Sequence, residues 1–315
     1  MKKKLCISLV FALVLSLFGG VQRPVSVEAA VAKKLTLYVG STYEVPSYYY
    51  SSASSSKKSV ASVKKGSYGG YVISAQKPGT ATIKLKSSYG YSDKYKVTVK
   101  SYFCPITFYL GANVDNKKAT SSSDDDDDYY YSYSTPSTSE VIMAVSNKTT
   151  QSFDTLKISY KICNKAGDEL AKGTAEANCV LKNTTAYVSV SLPSGVKLAS
   201  VDTDKCSAEI TGSTFSPDYK YVDKSGSVTT DITESTYSSS QSWDMTVKNK
   251  SKKYLEGMVY VLLFSNTDKI IGVKSERVYV YQKSSSEEYF DLDMDNYPEY
   301  SYRRVIPVFY YTKAK

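Results

Sequence analysis

Between residues 33 and 100, apolar side chains recur at every second position in short runs, and each run stops at a turn former. Leu35, Leu37 and Val39 alternate and then meet Gly40. Val60, Val63, Val72, Ile73, Ile83 and Leu85 continue the pattern, and "KYKVTVK" closes it with Tyr95, Val97 and Val99. Gly69-Gly70 and Pro78-Gly79 punctuate the runs. A period of two sends successive side chains to opposite sides of an extended backbone, so each run predicts a strand with one buried face rather than an amphipathic helix. Six or seven such strands in about 65 residues bury those faces only by pairing two sheets, which predicts a small β-sandwich.

The same residues carry a resemblance. "LTLYVG", "SVASV", "YVISAQKPGTATIKL" and "YKVTV" together resemble the bacterial immunoglobulin-like group-2 domain, the module of invasin- and intimin-type surface proteins. Where that family has a Trp before its serine-rich segment, this chain has "SYYYSSASSS". The resemblance covers residues 34–100 and implies an extracellular bacterial module, used as a spacer or adhesive unit spanning 33–101.

Residues 102–139 predict a linker region: its first part could complete a strand, and its second part, Ser121 to Ser139, is Ser, Asp, Tyr and Pro without periodicity. The run Asp124 to Asp128 lacks the spacing and the distant acid of a calcium loop, and five adjacent aspartates repel into an extended chain. Beyond it the sequence repeats at a spacing near 102: "AVSNKTTQSFDTLKISYKICNKAGDEL" matches "TVKNKSKKYLEGMVYVLLFSNTDKII". This aligns Asn147 with Asn249, Leu156 with Met258, Ile158 with Tyr260 and Ile162 with Phe264. Two all-β units are therefore expected at 140–212 and 241–315, joined by a linker at 213–240. The pattern is similar to FxLYD-type extracellular β-sandwich domains, although the naming tetrapeptide is absent. The predicted fold class is all-β, with serial Ig-like β-sandwich domains behind a signal peptide. Trp243, the only Trp, is expected in the core of the second repeat.

Lys2-Lys3-Lys4 followed by apolar Leu5 to Phe18 and small residues at Val27 to Ala29 predicts a secretory leader over residues 1–30. No later run approaches membrane length, so no integral span is expected after its removal. An exported, extracellular or cell-surface protein permits disulfides. Past the leader, Cys163, Cys179 and Cys206 lie within one segment and are the candidate partners, with Cys163 to Cys179 or Cys206 favoured, and Cys104 is the fourth; the alternative is that all four are buried free thiols. The net charge of +9 favours contact with anionic cell-wall polymers. Lysines and aspartates read as interspersed and no basic helix appears, which argues against nucleic acid.

The chain contains no histidine, which removes Ser-His-Asp and Cys-His nucleophilic pairs and histidine-ligated zinc. No glycine-rich phosphate cradle is present. Glu287 and Glu288 are adjacent and point to opposite faces of a strand, so they do not make a glycosidase pair. In "DLDMDN", Asp291 to Asn296, the position of the bidentate acid of a calcium loop falls on Tyr302, and the alternation with Phe290, Leu292 and Met294 suits a strand. No catalytic residue, metal or cofactor is expected. Tyrosine is the positive anomaly: 31 residues against 9 Phe. Tyr48-Tyr49-Tyr50 and Tyr129-Tyr130-Tyr131 sit beside serines, the mixture that binding loops use for contact area and adaptable hydrogen bonds. These six are the candidate partner contacts, toward a surface glycan or protein. The expected role is non-enzymatic binding or adhesion; the alternative is a carbohydrate-binding accessory of the envelope.

Overall fold

The computed structural model describes residues 32–45, 49–67, 69–111, 139–237, 240–292 and 300–315. The leader expected at residues 1–30, the aspartate run, Tyr48 and Tyr129 to Tyr131 lie outside them. The fold is all-β, in three sandwich units.

The first unit pairs a four-stranded sheet with a three-stranded one. The larger sheet has the order β1 (Lys33–Tyr38), β7 (Ser92–Lys100), β6 (Gly79–Ser87), β3 (Tyr50–Ser55). The smaller is β2 (Thr42–Val45), β5 (Tyr71–Ala75), β4 (Ala61–Lys65). The alternating apolar residues meet between them: Leu37, Ile73, Ile83, Leu85 and Val97 are fully buried. β1 runs parallel to β7, whereas the other pairings in this unit are antiparallel.

The second unit opposes β11 (Glu169–Val180), β10 (Phe153–Cys163), β13 (Ser207–Thr214) to β12 (Thr185–Ser191), β9 (Glu140–Ser146), β8 (Ile106–Leu110). The third repeats this plan. β18 (Ile270–Val280), β17 (Leu255–Ser265) and β20 (Tyr300–Ala314) stand for β11, β10 and β13; β19 (Ser285–Leu292), β16 (Ser240–Asn249) and β15 (Val228–Tyr237) stand for β12, β9 and β8. An extra strand, β14 (Tyr219–Asp223), is added beside β20. The expected linker at 213–240 is therefore corrected: it carries the end of β13, β14, a 3-10 turn at Ser225–Ser227 and β15. Both new strands lie at sheet edges and are rich in Thr, Tyr, Asp and Lys, so no clean apolar alternation marks them. In the 102–139 region the first part, which the sequence allowed to complete a strand, contributes β8, which pairs with β9.

The repeat is anchored by a buried asparagine in each copy. Asn147 Nδ2 donates to the carbonyls of Gln151, Val180 and Leu181, while its Oδ1 accepts from Thr149 N–H at 2.9 Å. Asn249 Nδ2 donates to those of Lys253, Val280 and Tyr281, and its Oδ1 accepts from Ser251 N–H at 2.8 Å. Each amide thus satisfies carbonyls at the mouth of two strands that no ladder reaches, which is why an Asn stands in a core position.

Past these residues the alignment slips by one. β10 turns Phe153 inward and then Leu156, three residues on, whereas β17 alternates regularly from Leu255 through Val259, Val261 and Leu263. The bulge beside the following hairpin falls at Ile162/Cys163 in one copy and Leu263/Phe264 in the other. Ile158 therefore corresponds to Val259, not Tyr260, and Ile162 to Leu263, not Phe264. A one-residue slip exchanges faces, so the side chains first aligned with the core of repeat 1 lie on the opposite face of repeat 2.

That face has its own partner. Met258, Tyr260, Leu262 and Phe264 join Ile142 and Met143 in one hydrophobic cluster that spans both repeats. Tyr260 packs edge-on against Tyr187 of β12 at 5.6 Å and donates its hydroxyl to Asn178 O at 2.9 Å. The two repeats stack as four sheet layers, and the two inner layers are covered on both sides. β9 is buried at five successive residues and β17 is buried at nearly every one, which explains their unbroken apolar runs. Trp243 is fully buried in the other core of repeat 2, beneath the Arg303 guanidinium at 4.6 Å.

The first unit is joined to the second by an aromatic knot. Tyr38 at the end of β1 touches Tyr102, Phe153 and Phe215, with ring centroids 5.0 to 5.9 Å away. Tyr102 donates its hydroxyl to Val39 O at 2.7 Å. Gly40, at φ +78°, lies so close to the Thr211 carbonyl that no Cβ would fit.

Candidate functional site

The face of the β14-β20-β17-β18 sheet that covers repeat 1 extends past its edge, and the overhang is tyrosine. Residues two apart share a face, so Tyr254 and Glu256 continue the row of Met258 and Tyr260. Register places Tyr279 and Tyr310 on either side of Glu256. Tyr254 and Tyr281 meet edge to face at 5.4 Å. Tyr254 is 44% exposed, Tyr279 47% and Tyr281 70%. Three neighbouring rings thus leave part of their apolar surface in water, and each forgoes a corresponding share of the stabilisation that full burial would give. β17 begins at Leu255 while β20 runs on to Ala314, and the mismatch leaves a cleft of about 480 Å³ between Tyr254 and Glu256 on one side and Tyr310 to Lys313 on the other. Lys253 stands at its rim with its ammonium 5.7 Å over the Tyr311 ring.

The floor is fixed where the overhang meets repeat 1. Asp154 accepts hydrogen bonds from Tyr221 at 2.7 Å and Tyr310 at 3.1 Å. Burial, reinforced by this carboxylate, pushes both phenol pKa values up, so both hydroxyls stay protonated donors. Arg277 reaches Glu256 at 3.6 Å and donates to Cys179 Sγ at 3.8 Å. Burial pushes the Cys179 thiol up to about 11, which leaves it a structural group rather than a nucleophile. The site thus offers ring faces, phenol hydroxyls and ammonium groups around a neutralised carboxylate. Those are contact groups, and among the described residues no set of three His, Cys, Asp or Glu side chains converges to hold a metal.

The tyrosines singled out from sequence fare differently. Tyr49 is 72% exposed, at the end of the first unit that also carries the Ser87 to Ser92 hairpin with Tyr89 and Tyr91 at 77% and 76%. Tyr50 is half-buried and donates to Asp93, so it braces β3 against β7. Tyr302 stacks on Phe264 at 4.9 Å and donates to Asp268. The exposed group at 254, 279 and 281 was missed because its members are far apart in sequence; the signal available was the alternation Tyr279-x-Tyr281 at the end of β18.

All four described cysteines are free thiols. Cys163 and Cys206 are neighbours, the Cys163 N–H donating to Cys206 Sγ at 3.4 Å, whereas Cys179 lies apart beside Arg277. Asn147, Asn183 and Asn249 each begin an Asn-x-Ser/Thr triplet; Asn147 and Asn249 are buried at 0% and 1%, while Asn183 is exposed at φ +62°.

A second concavity of about 520 Å³ lies on the outer face of the β11-β10-β13 sheet, over Ser159, Thr174 and Ser207. Its charges pair locally, Glu169 with Lys172 at 3.0 Å and with Lys161 at 4.0 Å. No protein-family model matches the chain, and no curated protein matches it significantly.

Proposed function

We propose that this is an exported, non-enzymatic binding protein of a bacterial cell surface, in which the first sandwich serves as a spacer and the stacked repeats present the tyrosine face to a partner. The observation that carries this reading is the overhang itself: three exposed rings beside an open cleft, on a floor locked by Asp154, Tyr310 and Arg277. Rigid aromatic groups with polar tips supply contact area at low ordering cost. The likeness of residues 34–100 to bacterial surface modules supports the cellular address.

A glycan is the partner chemistry best suited to the cleft, since tyrosine rings cover the apolar faces of pyranose rings while Lys253, Lys313 and Thr312 meet hydroxyls at its rim. The test is an array of glycans and matrix proteins probed with the full chain and with the Tyr254→Ala, Tyr281→Ala double variant. Binding that the double variant loses supports the reading. Silence across the array, or binding that the variant retains, sinks it.

A further inference from the structure

The outer face of the first unit's four-stranded sheet carries six lysines and no acid. Leu35, Ile83, Leu85, Tyr95 and Val97 point into the core, so Lys34 on β1, Lys84 and Lys86 on β6, and Lys94, Lys96 and Lys100 on β7 point out. Lys34 lies directly across from Lys96, and Lys84 directly across from Lys94. Like charges placed opposite one another destabilise a sheet, so the fold keeps this arrangement against its own stability. Among the described residues none of the six forms an ion pair; the one ion pair of this unit joins Lys33 to Asp93 at 2.8 Å. Residues 33–100 hold twelve lysines, no arginine and two acids, Glu44 and Asp93, so the interspersed charge of the whole chain gives way here to a concentrated positive surface.

We propose that this lysine face binds a linear phosphodiester polymer that carries no bases, which gives the surface-protein reading a specific anionic partner and rests on that reading for where the polymer occurs. Outward side chains repeat every ~6.6 Å along a strand and every ~4.8 Å across strands, so the ammonium groups form a grid that meets successive phosphates in many registers. Lysine without arginine suits this: each ammonium acts as a point charge and imposes no bidentate geometry. The remaining partly or fully exposed outward groups are Thr36, Thr80, Thr82, Thr98, Ser52, Ser54 and Ser92, which offer hydroxyls but no ring to stack a base and no amide to read its edge.

The test is binding of the full chain to synthetic poly(glycerol phosphate) between roughly 50 and 200 mM NaCl. Six neutralised phosphates predict a log–log slope of about −4 and a loss of affinity of roughly 250-fold over that range. The Lys84→Thr, Lys94→Thr, Lys96→Thr variant is expected to halve the slope and weaken low-salt binding at least about tenfold, with its thermal unfolding unchanged or raised. The charge-matched Lys161→Thr, Lys172→Thr, Lys248→Thr variant should leave the slope in place. Absence of low-salt binding, equal losses in both triple variants, or tighter binding to double-stranded DNA or polygalacturonate would each overturn the proposal. Retention of the slope in the Tyr254→Ala, Tyr281→Ala variant keeps this outcome separate from that of the tyrosine face.

Discussion

The two repeats share a topology and an asparagine hub, yet they meet through different faces. Repeat 1 offers the outside of its β8-β9-β12 sheet; repeat 2 offers the outside of the sheet built on β17. The equivalent outer face in repeat 1 is solvent-facing and polar. Lys157, Ser159 and Lys161 occupy the positions that Met258, Tyr260 and Leu262 hold in repeat 2. One scaffold therefore serves as an end layer in one copy and an inner layer in the other, and a few outward residues decide which. The lesson is that conserved strand order says little about association: a contact between unlike faces of like units is heterologous, and its chemistry is written on one side of each sheet.

Exchanging those outward residues tests the comparison most severely. Leu262→Lys gives repeat 2 the side chain of repeat 1 and buries an unpaired ammonium between the layers; denaturant titration should show a loss of at least about 4 kcal/mol or separation of the repeats into two transitions. The reciprocal Lys161→Leu should change stability by no more than about 0.5 kcal/mol. Equal effects would refute the layer assignment.

The shared hub should be equally costly in both copies. Asn147→Ala or Asn249→Ala strands three carbonyls and should each destabilise by about 2–4 kcal/mol in the same assay. A neutral result in either copy would separate them.

Cysteine sets the copies apart again, since all four described cysteines lie between residues 104 and 206. Under a mild thiol oxidant, peptide mapping should recover a Cys163–Cys206 bridge and no bridge to Cys179. Burial holds the Cys104 and Cys179 thiols at about 11, so the thiolate is about a thousandth of each at pH 8. Alkylation of the native protein at these two residues should accordingly be slow at pH 8 and should accelerate as pH approaches 11, provided the fold persists.

The smallest effect concerns the first unit. Lys84→Glu places opposite charges across β6 and β7 and should stabilise the protein by about 0.2–1 kcal/mol at low salt, read as a rise in Tm.

Legibility in the sequence followed exposure. The strands of the first unit were readable because each has one wet face, so Leu35 and Leu37 or Val97 and Val99 stand out against lysine and threonine. β17 defeated the same method: with both faces covered, "GMVYVLLF" has no period, and the internal alignment settled one residue out of step. β14 and β15 read as linker in the sequence because edge strands need little apolar content. The tyrosine excess was visible, but composition does not separate Tyr50, tied to Asp93, from Tyr281, turned to solvent; only strand pairing does. The lysine face was hidden for a similar reason, since its members belong to three strands from both ends of the unit.

One pairing in the first unit bears on how it responds to being pulled. Because β1 lies alongside β7 in the same direction, tension entering at Lys33 and leaving beyond Lys100 slides the two strands lengthwise past each other. The rungs between them are strained together instead of opening one after another from an end. A module loaded this way yields late and abruptly, because no single rung can fail ahead of its neighbours.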